Sequence, residues 1–228
     1  VADQKFPVVS DIASSWVAED SGADVAATGA TTSITLTPKK LISVVDLSKE
    51  AMTQNAGLEA AIRRNMAANI ASTWENALLN TADVTGAPTS IFLDAAAGAT
   101  GVTAADFIDL EATVLGNDVP LEGSRMAYLF NKDAYSAIRT LLQTTGVAAL
   151  WNPDTKELNN YYGFFSTNVG SGGVAGKAQA LFGDFSKVHL AQFGGLDLLY
   201  DPYTKSRQGL GTLIATTLVD GDATQNAL

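Results

Sequence analysis

Residues 16–46 carry little of what a segment needs to bury itself, yet they run directly into the one long amphipathic helix of the chain. From Glu19 to Thr32 the residues are Gly, Ala, Asp and Thr with almost nothing bulky, the composition of an exposed loop tip. Ser33-Ile34-Thr35-Leu36-Thr37 then alternates with period two, Pro38-Lys39-Lys40 interrupts, and Leu41 to Leu47 resumes, so two strands with a proline break between them are expected. Over 58–81 the residues Leu58, Ile62, Met66, Ile70, Trp74 and Leu78 recur at four-residue steps. That stripe predicts a helix more than about 30 Å long at ~1.5 Å per residue. An extended stretch without apolar partners of its own is expected to find them on a neighbouring copy, which points to assembly rather than catalysis.

Composition agrees. The 228 residues suffice for one large domain or two small ones and contain no cysteine, so thiolate chemistry, thiolate metal sites and disulfides are excluded and stability rests on packing. The 14 basic residues against 24 acidic ones give a net charge of -10, and Lys39-Lys40 and Arg63-Arg64 are the only adjacent basic pairs. A tight nucleic-acid binder gathers cations on one face, so any contact with nucleic acid is expected to be loose and without sequence specificity. Charged residues make up 17% of the chain, against roughly 25% for soluble domains, which suits a surface covered by neighbours. An Ala-rich enzyme would look similar on this count. No apolar run reaches the ~18 residues of a membrane span, so no membrane partner is expected.

The remaining elements predict an α+β chain. Residues 1–15 show no sustained period and read as an extended arm. Ser48 is an N-cap candidate for a short turn and Asn55 for the long helix. A second helix is expected over 104–115 behind Thr103, a buried strand over 125–130, and a third helix over 132–143 capped by Asn131. Short strands follow around Leu181, His189 and Leu198, and a last one over 211–219 ends at Asp220-Gly221-Asp222, read as a hairpin-type turn.

No catalytic, cofactor or metal residue stands out. The single histidine, His189, sits in an apolar strand and reads as structural, which closes off His-dependent triads and multi-histidine metal sites. Gly172 to Lys177 fails the phosphate-loop spacing, because Ser171 and Ala178 stand where Gly and Ser or Thr are needed. Asp220-Gly221-Asp222 lacks the later bidentate Glu of a calcium loop. Any two of the 24 acids could converge in a glycosidase pair, but the sequence favours none.

Taken in order, Trp16-Val17-Ala18-Glu19, Ile34 to Leu41, Val45 to Glu50, Leu129 to Tyr135, Leu181 to Ser186 and Leu218-Val219-Asp220-Gly221 resemble the major capsid proteins of tailed bacteriophages, the Hong Kong phage fold. The resemblance implies an N-terminal arm over 1–15 and an extended E-loop over 16–48. It further implies a peripheral domain with a spine helix over 49–85 and 206–228, and an axial domain over 86–205. It implies a shell subunit forming hexamers and pentamers around loosely packaged double-stranded DNA, in a virion assembled in the host cytoplasm. Portal, scaffolding protease and decoration proteins are the implied partners, and the absence of a methionine before Val1 fits maturation cleavage or trimming. Contacts between copies are expected at Trp16, Glu19, Ile34, Leu36, Lys39 and Lys40 of the E-loop segment and at Arg63 and Arg64 of the helix. Some members form lysine–asparagine crosslinks; with only Lys39 and Lys40 near the loop, none is expected here. The alternatives are an encapsulin-like compartment, which shares the fold but holds a protein cargo, and a small α+β enzyme.

Overall fold

The computed structural model describes residues 2–9, 31–55, 57–95, 103–116, 125–141, 151–170 and 177–223. Its elements begin with β1 (Gln4–Val9), β2 (Thr31–Leu36), β3 (Lys39–Ser48), α1 (Lys49–Gln54), α2 (Leu58–Leu78), α3 (Ile91–Asp94) and α4 (Ala104–Gly116). They continue with β4 (Met126–Phe130), α5 (Lys132–Leu141), β5 (Trp151–Asn152), β6 (Glu157–Leu158), β7 (Tyr161–Phe165), β8 (Ala180–Asp184), β9 (Val188–Gln192), β10 (Asp197–Asp201) and β11 (Leu210–Ala223). The mixed α+β class expected from the sequence is the class observed.

The four-residue stripe of α2 explains how two cores share one helix. At ~100° per residue each four-residue step overshoots a full turn by about 40°, so the stripe winds through roughly 200° from Leu58 to Leu78. Its first half, with Met66 and Ile70 buried and Ile62 beside them, packs on Leu47, Leu213 and Ala215. Its last turn has rotated away from that sheet, and Leu78, Leu79 and Trp74 pack instead on Ile91, Val169 and Leu181. The helix begins after Gly57 rather than after Asn55, which ends α1 and lends its carbonyl to the Leu58 N–H. It stops at Leu78 rather than Thr81. There the buried Ser90 hydroxyl sits between the carbonyls of Leu78 and Asn80, and Gly170 N–H donates to Leu79 O, so carbonyls orphaned at the helix end are satisfied.

One sheet joins β10, β11 and β3 in that order, with β9 also paired to β11, all antiparallel. β3 alternates between half-buried and exposed positions, its odd-numbered residues facing α2. Here the sequence reading is corrected. The stretch 16–46 was expected to have no home in its own molecule, yet β3 pairs with β11 from Lys39↔Val219 to Ser48↔Leu210, because its period-two pattern supplies one buried face. β2 is likewise paired, to β1 from Gln4↔Leu36 to Val9↔Thr31, so the expected arm 1–15 contains a strand. Asp220-Gly221-Asp222 is not a turn either: it lies inside β11, opposite Ala191, Leu190 and His189. Gly221 leaves room for two leucines, since a Cβ there would come within 2.8 Å of the Leu78 tip and 2.9 Å of the Leu190 tip and both would have to shift. β9 and β10 fall within 86–205, expected as axial, yet both hydrogen-bond to β11.

The second sheet has the order β5-β6-β7-β4-β8, antiparallel except for the parallel β4–β7 pair. Its central strand β4 is nearly all buried. Tyr128 and Phe130 on one face meet Phe107, Val114, Ala134 and Ile138 from α4 and α5, while Leu129 and Leu181 on the other meet the end of α2. β6 and β7 are joined by Asn159 and Asn160, both at positive φ, 49° and 68°, as a two-residue turn with left-handed central residues requires. Asn131 caps α5 as expected, its Oδ1 accepting from Ala134 N at 2.9 Å.

A polar trio ties this sheet to α4, buried at Tyr128 and Glu111 and open to solvent at Asn159. The Tyr128 hydroxyl donates to Glu111 Oε1 at 2.7 Å, and Asn159 Nδ2 reaches both oxygens of the same carboxylate at 2.8 and 2.9 Å. Burial, reinforced by the neighbouring carboxylate, pushes the Tyr128 hydroxyl well above the usual tyrosine range. Raised in the folded state, such a group stabilises the fold fully below its ordinary value of about 10, and that contribution is lost as pH rises beyond it. The unfolding free energy of the wild type is therefore expected to fall more steeply between about pH 10 and 12 than that of Tyr128→Phe, which starts lower near neutrality by about 1–3 kcal/mol. Parallel pH profiles for the two would refute this.

Candidate assembly surface

The register of the first sheet places a row of apolar side chains on the face away from α2. Leu199 of β10 lies opposite Ile214 of β11, which lies opposite Val44 of β3, and residues paired in this way share one face. The neighbouring row is Asp197, Thr216 and Ile42. Val44 is 54% exposed, Leu199 58% and Ile42 49%, so three large apolar side chains stand in solvent side by side.

One end of this outer face is covered by the chain itself. Phe6, Ile34 and Leu36 of the β1–β2 hairpin pack with Ala191, Phe193 and Leu218. The Phe6 ring stacks on His189, with centroids 4.9 Å apart and planes 14° from parallel, which gives the lone histidine the structural role expected of it. The other end is a polar border. Asp46 pairs with the Lys205 ammonium and accepts from Thr212 Oγ1 at 2.8 Å; Lys205 and Thr212 together hold its carboxyl below the usual carboxylate value. Asp201 accepts from Tyr203 N, Thr204 N and the Thr204 hydroxyl, bonds that lower its carboxyl likewise and fix the turn. Tyr203, in that turn, is 82% exposed.

The residues expected at contacts fare differently. Trp16 and Glu19 lie outside the described residues. Leu36, only 1% exposed, is corrected: it is taken up within its own chain, and Ile34 is half-buried beside it, because the hairpin needs an apolar base where it meets the sheet. Lys39 reaches the buried Asp220 of its own chain at 3.2 Å, while Lys40 is exposed. Arg63 and Arg64 stand on the solvent face of α2, the first paired with Glu59 and the second donating from Nε to Ala60 O at 3.3 Å. Of the six that are described, Ile34 and Leu36 come together in one cluster of their own chain, and Arg63 and Arg64 adjoin on α2. The row Ile42, Val44, Ile214 and Leu199 was missed, although Leu41-Ile42-Ser43-Val44-Val45 carries the signal: apolar residues on both phases of a strand call for a partner on both faces. Among the described residues no group of three or more His, Cys, Asp or Glu side chains could hold a metal ion, and no helix is long and apolar enough to cross a membrane.

The family model described as the phage capsid family matches residues 2–228. The chain belongs to the phage capsid family. As a member it is a structural capsid subunit, and its working form is a shell of copies of itself in a virion particle. Among solved structures it is similar to the capsid of a native GTA particle computed with C5 symmetry, with a TM-score of 0.75 and 21% identity over 100% of this chain and 83% of that one. The structure titled Microbacterium phage Oxtober96 gives 0.73 and 14% over 98% and 81%, and Mycobacterium phage Ogopogo 0.72 and 15% over 99% and 85%. At these identities the likeness is one of fold. No curated protein matches the capsid subunit by sequence.

Proposed function

We propose that the subunit builds hexamers and pentamers of an icosahedral shell around double-stranded DNA, assembled in the host cytoplasm, with the bare row Leu199–Ile214–Val44 covered by an adjacent copy. That row carries the reading: half of the outer sheet face is covered by the chain's own hairpin, and the other half exposes Ile42, Val44 and Leu199. Contacts between copies run through Trp16 and Glu19 of one subunit and this face of the next, with Lys40 and Arg64 as solvent-facing cations for an acidic neighbour and Arg63 able to share its exposed pair with Glu59. Interfaces of obligate assemblies bury about 2,000 Å² or more, far beyond one apolar row, so the row is the centre of a larger contact. The DNA is enclosed rather than gripped, as the net charge of -10 suits. Portal, scaffolding protease and decoration proteins are the further partners of such a particle. Within the subunit, the sheet of β3, β9, β10 and β11 with most of α2 serves as the peripheral part and the β4-centred sheet with α4 and α5 as the axial part.

Size-exclusion chromatography followed by electron microscopy tests the reading. Megadalton particles with closed icosahedral outlines and co-purifying DNA are the expected result. A species of one or two chains under every assembly condition, or particles holding a protein cargo in place of DNA, would overturn it.

A further inference from the structure

We propose that Asp220 is the positioning residue of the β1–β2 hairpin: with Lys39 it holds the chain where it leaves the sheet, and so sets the direction in which the hairpin projects for assembly. β3 follows β11 as far as the pair Lys39↔Val219. The next residue, Pro38, has no N–H and cannot extend the ladder, so the chain departs at this point. Thr37 N–H, which would be left without a ladder partner, donates to Asp220 Oδ2 at 2.7 Å. Asp220 is 3% exposed, and a carboxylate so buried is costly unless paired. Lys39 Nζ supplies the countercharge 3.2 Å from Oδ1, an ion pair set outside hydrogen-bond alignment.

β11 meanwhile runs on to Ala223 with β9 as its partner, placing Asp220 opposite Ala191. Ala191 lies in the same apolar cluster as Leu36, Ile34 and Phe6, and the Phe6 ring also stacks on His189, so apolar contacts seat the hairpin on the sheet, while the Thr37–Asp220 bond ties it at the point where β2 hands over to β3. Apolar packing is non-directional and tolerates tilting, whereas a hydrogen bond fixes an angle. Among the described residues β2 has a ladder with β1 only, so backbone pairing to the body sheet does not perform this task. This inference rests on the shell reading above.

The test compares the full-length wild type with Asp220→Ala, Asp220→Asn and Lys39→Met, reading amide hydrogen exchange and particle shape by electron microscopy. In Asp220→Ala, Thr37 is expected to exchange at least about tenfold faster, as for an amide that loses its only acceptor. Ladder amides of β3, β10 and β11 should keep their protection, and closed shells should give way to open or irregular ones. Asp220→Asn, which retains an oxygen for Thr37, should still close. Closed Asp220→Ala shells of wild-type diameter and yield would overturn the proposal. Should Asp220→Ala fail to fold, Lys39→Met decides, since it alters only a partly exposed side chain: irregular shells with faster Thr37 exchange support the proposal, and wild-type behaviour in both readouts overturns it. A wild type that forms no shells would count against the assembly reading, while Thr37 exchange would still report on the clamp.

Discussion

A chain in which residues 10–30 are replaced by Asn-Gly is expected to keep its fold and to form no closed shells. Val9 and Thr31 are opposed at the end of the β1–β2 ladder, and Asn-Gly is the two-residue turn that closes such a ladder with the twist its strands need. The excision therefore leaves the Phe6–His189 stack, Leu36 and the Asp220 clamp in place. What it removes is the segment with Trp16 and Glu19, proposed to complete the contact with the adjacent copy. In a symmetric shell each contact recurs at every subunit, so even a modest loss per interface is multiplied over the particle. Circular dichroism and a thermal midpoint close to wild type would show that the subunit survives, while electron microscopy should find only small oligomers. Normal particles from the excised chain would sink the proposal that this segment joins copies.

Replacing Phe130 by alanine is expected to cost about 3–5 kcal/mol of unfolding free energy, as for large aromatic side chains removed from full burial. Phe130 is 0% exposed and sits among rings, 6.3 Å from Tyr135 and 5.7 Å from Trp151 between centroids. The backbone of β7 lies directly against it: a Cβ on Gly163 would come within 2.8 Å of the Phe130 ring and 2.6 Å of Trp151. Rings pivot about two torsions and cannot flow into a cavity, so relaxation should recover little. Gly163→Ala alone should destabilise through overpacking, and it should do so less in the Phe130→Ala background, where one of the two rings it strikes is gone and Trp151 has space to shift. Denaturant unfolding of the four proteins checks both statements. A loss below about 1.5 kcal/mol for Phe130→Ala would show that the site collapses more freely than its aromatic walls imply.

Much of this architecture could be read from local pattern. The stripe from Leu58 to Leu78 is a single-residue seam, and its four-residue spacing already implied a helix whose contact face turns along its length. Pro38 separates β2 from β3 as expected, and Asn131 caps α5, because in both cases one residue's covalent chemistry decides the matter. Pairing at a distance was not legible. Residues 4–9 have no strong alternation, and they form a strand because β2 lies opposite. Asp220-Gly221-Asp222 has turn composition, but the glycine leaves room for Leu78 and the first aspartate serves Thr37, partners 143 and 183 positions away in the chain. The assembly surface was half legible. The loop segment stands out in the sequence by its lack of apolar partners, while the exposed phase of β3, in the residues that follow it, is masked because one buried face already accounts for a strand's alternation.

The winding seam of α2 has a mechanical consequence. One rod about 30 Å long, stiffened by its own backbone hydrogen bonds, is seated at one end in the β3–β11 core and at the other beneath the β4 sheet. A push on either lobe is transmitted through this strut rather than lost in a slack tether. The subunit therefore answers load as a single lever, and the yielding in a strained particle falls on the seams between copies.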